Sequence, residues 1–419
     1  MSEITSEIMS TFYPAPFPMP VIKEPCFPSR MFYVTSKCSI QDTVNQCASS
    51  GGGTVVIPCG QWATGPIHLD DHIHLHFEDG AQLIFSDNPD DYLPTVFTRW
   101  EGMECYNYSP LIYANNCSHI AVTGHGSLYG SGQNWWSWKM LQQEAANELC
   151  YAESNHIPVS RRIYGTKKAA LRPSFLQFIN CTDILIDGPT FINGPQWTIH
   201  PVYCEDVIIR NVRVSTAGHN TDGLNPDSCK NVLIENCDFS TGDDCIAINS
   251  GMNEDGWRVN RPCENIIIRN CRMTGGHGAV VIGSAMSGGV RNIYAHDCHA
   301  EHTMQGIRLK SMRGRGGFVE NVTFENFEIN NVSNEAIQVN MFYEFSTVVP
   351  PSDTPSVFRN ITIRNVSGEG ADTAILLKGL PEEKLKEILL ENISIKAKQA
   401  LICTDVDGLS LKNLFLSAQ

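Results

Sequence analysis

The 419-residue chain has no surplus of positive charge. Its 30 Lys and Arg stand against 45 Asp and Glu, a formal net charge of −15. Binding a phosphate backbone needs a basic footprint, so nucleic acid is not an expected partner. No apolar run approaches the roughly 20 residues of a membrane helix, so no membrane partner is expected either. The first residues, MSEITSEIMSTFYPAPFPMP, lack the basic start and apolar core of a secretory signal. Charged residues are sparse altogether, at 18%, which suits a β-rich surface of Asn, Ser, Thr and Gly. The sixteen cysteines are an excess rather than a lack. Without a signal they read as reduced, buried small hydrophobes of a cytoplasmic protein. A disulfide framework would require that a signal had been trimmed.

One phrase recurs along the chain, an Asn, an apolar–x–apolar core and a second Asn. It reads EDVIIRNV (205–212), KNVLIENC (230–237), ENIIIRNC (264–271), RNIYAHDC (291–298), ENVTFENF (320–327), RNITIRNV (359–366) and KEILLENI (386–393). Starts are about 25 to 39 residues apart, the longer gaps holding insertions at 251–263 and 344–358. SHIAVTGHG and TDILIDGPT are fainter upstream copies. Short strands at a fixed period, with no helices between them, predict a parallel β-helix: an all-β, single-domain solenoid. Residues 1–36, rich in proline, read as an arm along the body. Residues 37–419 read as the catalytic β-helix. Ser39 to Gly53 predicts a helix with Ser39 as N-cap, placed to cover the open end. Residues 138–170 break the repeat and read as a partly helical loop beside a cleft.

Three segments end in one register: DCIAINS (244–250), GAVVIGS (278–284) and GIRLKS (306–311). Alternation sends Ile246 and Ile248, Val280 and Ile282, and Ile307 and Leu309 inward. Arg308 and Lys310 then share the outer face with Ala247 and Asn249. Aligning Leu224 with Ile246 sets Asp222 beside Asp244, about one 4.8 Å coil spacing away. Asp222, Asp243, Asp244, His277, Arg308 and Lys310 thus converge on neighbouring coils. Carboxylates that close should raise at least one pKa, and the whole reads as acid/base chemistry on an anionic substrate. Taken singly, each motif has a bland alternative: a turn for NTDG and GDD, a structural role for His277. His68, His72, His74 and His76 lack a carboxylate or Cys partner, so a solvated strand face is expected there rather than zinc. Trp135, Trp136 and Trp138 are read as packing or a wall of the cleft.

NTDG (220–223), GDD (242–244), GHG (276–278) and RLK (308–310), in this order, resemble the four signature motifs of glycoside hydrolase family 28, which includes the polygalacturonases. GGGTVVIP, GPIHL, TRWEGMECYNYSPLIYA, LRPSFLQF and GPQWTIHP resemble its bacterial exo-acting members. The resemblance implies a right-handed β-helix that cleaves galacturonosyl linkages of pectic chains with inversion. It implies Asp243 as general acid, Asp222 and Asp244 as holders of the attacking water, and His277 as support for the acid. It implies Arg308 and Lys310 as ligands of the substrate carboxylate, with Asn220 and Tyr343 as further substrate contacts. No metal or other cofactor is implied. Asn225, Asn249 and Tyr129 depart from the bacterial pattern, and Asn249 would face outward near Asp244. The alternatives are a rhamnogalacturonan or other uronic-acid hydrolase with the same machinery, a non-catalytic polysaccharide-binding β-helix, and a calcium-dependent lyase. Oligomeric state is not legible.

Overall fold

A computed structural model describes residues 14–343 and 349–418 as a right-handed parallel β-helix. Strands stack on their counterparts one coil away. Ile120 pairs Ile184, which pairs Val207, then Val232, Ile266 and Ile293, all parallel and in register. The recurring Asn has a clear physical role. Asn231, Asn265, Asn292, Asn321 and Asn360 all hold φ between 53° and 59°, the left-handed region that Asn tolerates better than most residues. Each turns a corner, and its side-chain amide donates one coil back: Asn231 to Asp206 at 2.9 Å, then Asn to Asn, as Asn265 to Asn231 at 3.0 Å and Asn360 to Asn321 at 2.7 Å. The corner thus fixes both the bend and the stacking.

The interior is a continuous column of aliphatic side chains, and cysteines form part of it. Cys237, Cys271 and Cys298 stack as expected, and Cys117, Cys181, Cys204, Cys229 and Cys263 form a second buried column. All sixteen are free thiols. Helix Ile40–Ser49 closes the first coil. Ser39 accepts from the Asp42 N–H, Asp42 answers to the Ser39 N–H, and Ile40, Val44 and Cys47 are buried against the coil.

Residues 1–13, including the segment read above for a signal, lie outside the described residues, as do 344–348 within the later insertion. The described part of the arm packs on an outer sheet face. Ala15, Phe17, Met19, Ile22 and Phe27 cover Ala121, Leu185, Ile208, Leu233 and Ile267, one outward residue per coil. This corrects the expectation for HIHLHF. His74 and His76 do share an outer face, but it is not solvated: Phe27 stacks on His74 at 5.0 Å. The two rings bond Thr123, and His74 also reaches Thr54. Burial, reinforced by His76, pulls the His74 pKa down to about 4. Among the described residues no helix is long and apolar enough to cross a membrane.

The site lies on the strand column that runs through Leu176–Ile179, Ile199–Val202, Ile246–Ile248, Gly278–Ile282, Gln305–Lys310 and Glu335–Asn340. Two additions stand over it. An antiparallel hairpin, Val96–Trp100 with Met103–Asn107, is riveted down by buried charges. Arg99 reaches Asp227 at 2.9 Å and Ser228 at 3.0 Å, and His200 sits 3.4 Å from Asp227, all fully buried. The 138–170 segment supplies helix Gln143–Ser154. Its Arg162 reaches Asp255, in the short helix Asn253–Val259, at 2.7 Å.

Candidate active site

The register that sets the site is the one the sequence implies. Leu224 bridges Ile246, which pairs Val280, which pairs Ile307. Asp222 and Asp244 therefore occupy adjacent coils, and the Gly223 N–H donates to the Asp244 carbonyl at 3.0 Å. Glycine is required around His277. Gly276 holds φ +111°, and a Cβ there would come within 2.5 Å of the Asp243 carbonyl. The close approach lets His277 Nδ1 sit 2.8 Å from Asp243 Oδ1.

The three carboxyls differ in environment. Asp243 is the most open, with 18% of its side chain exposed against 3% for Asp244. Its Oδ1 accepts the Asp244 N–H at 2.9 Å as well as facing His277, and its Oδ2 faces the Asn220 amide at 3.5 Å. Burial alone would raise the pKa of Asp244, but the charges of Lys310 and Arg308 outweigh it and hold the group below its ordinary value. Lys310 Nζ lies 2.8 Å from Oδ2, Arg308 lies 3.4 Å from Oδ1, and the Gly278 N–H donates to Oδ1 at 2.8 Å. Asp222 feels Lys310 too, but too weakly to offset its surroundings. Burial and the charges of Asp243 and Asp244 push its pKa well up, against one bond from Asn225 at 2.9 Å. His277 is raised, chiefly by its bond to Asp243.

These groups open into a cleft of about 430 Å³. Asn220, Asp222, Asp243, Asp244, Lys310 and Tyr343 line it, as does Asn249, which bonds the Ala247 carbonyl. Arg308 stands behind Lys310 with 13% of its side chain exposed, and both cations lie over the Tyr343 ring, at 5.6 and 5.1 Å. Of the two arginines that follow in the chain, Arg315 lines the cleft, whereas Arg313 turns to Glu382 at 2.6 Å. Gln143, Ala146, Asn147 and Cys150 of the inserted helix wall one side. The oxygens of Asp243 and Asp244 and the His277 nitrogen lie within 4.8 Å of one another, near enough to share a metal ion.

Residues 96–412 match the family described as glycosyl hydrolases family 28. The chain belongs to that family. As a family 28 protein it is a glycoside hydrolase. It is similar to a hyperthermoactive exopolygalacturonase of Thermotoga maritima, with TM-score 0.90 and 37% identity over 94% of both chains. A probable polygalacturonase of Vitis vinifera is 30% identical over 396 residues, 89% of this chain and 74% of the relative. An exo-poly-alpha-D-galacturonosidase of Dickeya chrysanthemi is 25% identical over 90% of this chain and 68% of its own length.

The tryptophan triplet is not in the family 28 cleft. Trp135 is buried against Tyr92 and Tyr108, and Trp136 bonds the Gly194 carbonyl. The tryptophans of the cleft are Trp100 and Trp197 instead, with Glu101 of the hairpin turn bonded to Gln196. They stand in TRWEGMEC and GPQWTIHP, phrases that carried resemblance but no repeat position. Arg172, of LRPSFLQF, is a further residue that sequence reasoning left without a role.

Proposed function

We propose that the enzyme removes galacturonic acid from the non-reducing end of polygalacturonate and its oligomers by single displacement. The observation that carries this reading is the wall of residues 143–150 across a cleft that holds three carboxyls and Lys310. Asp243 is the proton donor, being the carboxyl most open to the cleft. Its proton passes to the glycosidic oxygen as the bond to the anomeric carbon breaks. Asp244, kept ionised by two cations, takes the proton of the attacking water, which Asp222 helps to hold in place. His277 braces Asp243, and Lys310, beside Tyr343, offers positive charge to the sugar carboxylate.

Asp243, Asp244 and His277 have the donor set for a metal, but Lys310 and Arg308 already supply the positive charge against Asp244. We therefore propose hydrolysis that persists in EDTA. The sixteen free thiols favour a reducing compartment, which cell fractionation would check. The test of function is a time course on polygalacturonate and trigalacturonate with EDTA present, products separated by anion exchange. Monomer alone from the first time point is expected. A ladder of oligomers would overturn the exo reading. No product would overturn the substrate and turn attention to rhamnogalacturonan fragments. Proton NMR of the first-formed anomer tests inversion.

A further inference from the structure

Arg172 is fully buried beneath the acid end of the cleft. Its donors are spread over four partners. Nε reaches Gln142 Oε1 at 3.1 Å, and one terminal nitrogen reaches the carbonyls of Pro195 at 3.2 Å and His219 at 2.7 Å. The other terminal nitrogen donates to Asn220 Oδ1 at 2.9 Å. That last contact settles which way the Asn220 amide faces. A guanidinium has only donors, so the oxygen must turn to it and the NH₂ must turn away. The NH₂ then faces Asp243 Oδ2, at 3.5 Å. Asn220 itself holds φ +55°, so its backbone is fixed in a tight corner.

We propose that Arg172 is the positioning residue for proton donation, acting through the Asn220 amide. This rests on Asp243 being the proton donor. Oδ1 of Asp243 is already engaged by His277 and the Asp244 N–H, so Oδ2 is the oxygen left to carry the proton. When the proton leaves Oδ2 for the glycosidic oxygen, negative charge develops on the carboxyl. An N–H already aimed at that atom stabilises it more in the transition state than in the neutral acid, which is where binding raises turnover. The 3.5 Å separation is long for a ground-state bond, and contacts of this kind shorten in the reacting complex. An amide turned the other way would offer Asp243 an acceptor and hold the proton back. Burial draws the Arg172 pKa down to about 10, which leaves it charged through the neutral range. Because Gln142 precedes the inserted helix, the same side chain ties the cleft wall to the acid.

The test is a double-mutant cycle on trigalacturonate, with melting temperature and circular dichroism recorded for each variant. Asn220→Ala is expected to lower kcat about tenfold to a hundredfold, the range for a hydrogen bond to a charged group, with KM within about twofold. Arg172→Lys keeps the charge but loses the planar fork. It should lower kcat comparably, and the double variant should be no slower than the worse single one. Additive losses, or losses in KM alone, would overturn the proposal and leave Arg172 a structural residue. Asn220→Asp gives an answer even if Arg172→Lys fails to fold. It keeps an acceptor for the guanidinium but withdraws the donor from Asp243, so kcat should fall at least as far as in Asn220→Ala with no loss of melting temperature. Full activity in Asn220→Asp would also overturn the proposal. Asp243→Asn is the control for the underlying reading: if it turns over normally, Asp243 is not the acid, whatever the cycle shows.

Discussion

Asp243 and Asp244 are neighbours in the chain and opposites in surroundings. Two cations hold Asp244 ionised, while Asp243 meets an imidazole, an amide and the cleft. Asp243→Asn should therefore lower kcat by about 10² to 10⁴, the usual span for a lost general acid, with KM nearly unchanged. Steady-state kinetics on trigalacturonate decide it, and a raised KM with kcat unchanged would point to a binding role. A different residue contributes to acid sensitivity, as do His68 and His200, which burial also shifts down. His74 stays neutral in the fold until about pH 4, whereas in the unfolded chain it takes a proton near 6.5. Stability should thus fall as pH drops from about 6.5 to 4 and level off below, by at most about 3 kcal/mol. Urea melts across that window should show the slope flattened in His74→Asn. The site residues Asp222, Asp244, Arg308 and Lys310 were legible because strand register converts sequence offsets into neighbours. Arg172 was not legible, because a buried cation that works through another side chain leaves no periodic mark.

At the scale of elements, buried charges rather than strand pairing hold the hairpin Val96–Asn107 to the coils, through Arg99–Asp227, and the inserted segment to the short helix Asn253–Val259, through Arg162–Asp255. Such pairs are costly to break, since the survivor stays buried without its partner. Asp227→Ala should destabilise the protein by about 3–5 kcal/mol, visible as a large drop in urea midpoint. A shift below about 1 kcal/mol would mean that Arg99 finds other partners. The arm shows what alternation alone missed. A strand with one wet face reads apolar–polar–apolar, as in Val322-Thr323-Phe324 and Ile361-Thr362-Ile363. Ile184-Leu185-Ile186, Val207-Ile208-Ile209, Val232-Leu233-Ile234 and Ile266-Ile267-Ile268 are apolar throughout, the mark of a strand covered on both sides. The middle residues of these strands are among those the arm covers, and the pattern turns polar from Tyr294 on. The signal was present but belonged to a contact between distant segments.

At the scale of the whole molecule, the solenoid is a rail, and on the proposed exo reading the inserted helix sets where a chain of sugars stops. Replacing residues 142–156 by a short Gly-Ser linker should open the cleft, so that anion exchange finds oligomers beside monomer early in the reaction. Unchanged monomer-only products would place the stop elsewhere. The repeat that made the rail legible also marked this loop, as the stretch where the period breaks, but not which of its residues wall the cleft, because it pairs with no coil. The two ends of the rail also differ. Helix Ile40–Ser49 seals the first coil, whereas Val406–Ala418 pairs with Leu385–Thr404 on one side and leaves Leu411 and Phe415 exposed, at 47% and 71%. Each coil contacts only its neighbours, so unravelling starts where the seal is weakest. The cysteine columns turn this asymmetry into a ruler. Pulsed alkylation in mild urea should modify the exposed Cys26, Cys38, Cys59 and Cys403 at once; among the buried thiols it should reach Cys298 first, then Cys271 and Cys237, with Cys117 among the last. Mass spectrometry would read the fraying front coil by coil, and the reverse order would mean that the sealed end gives way first.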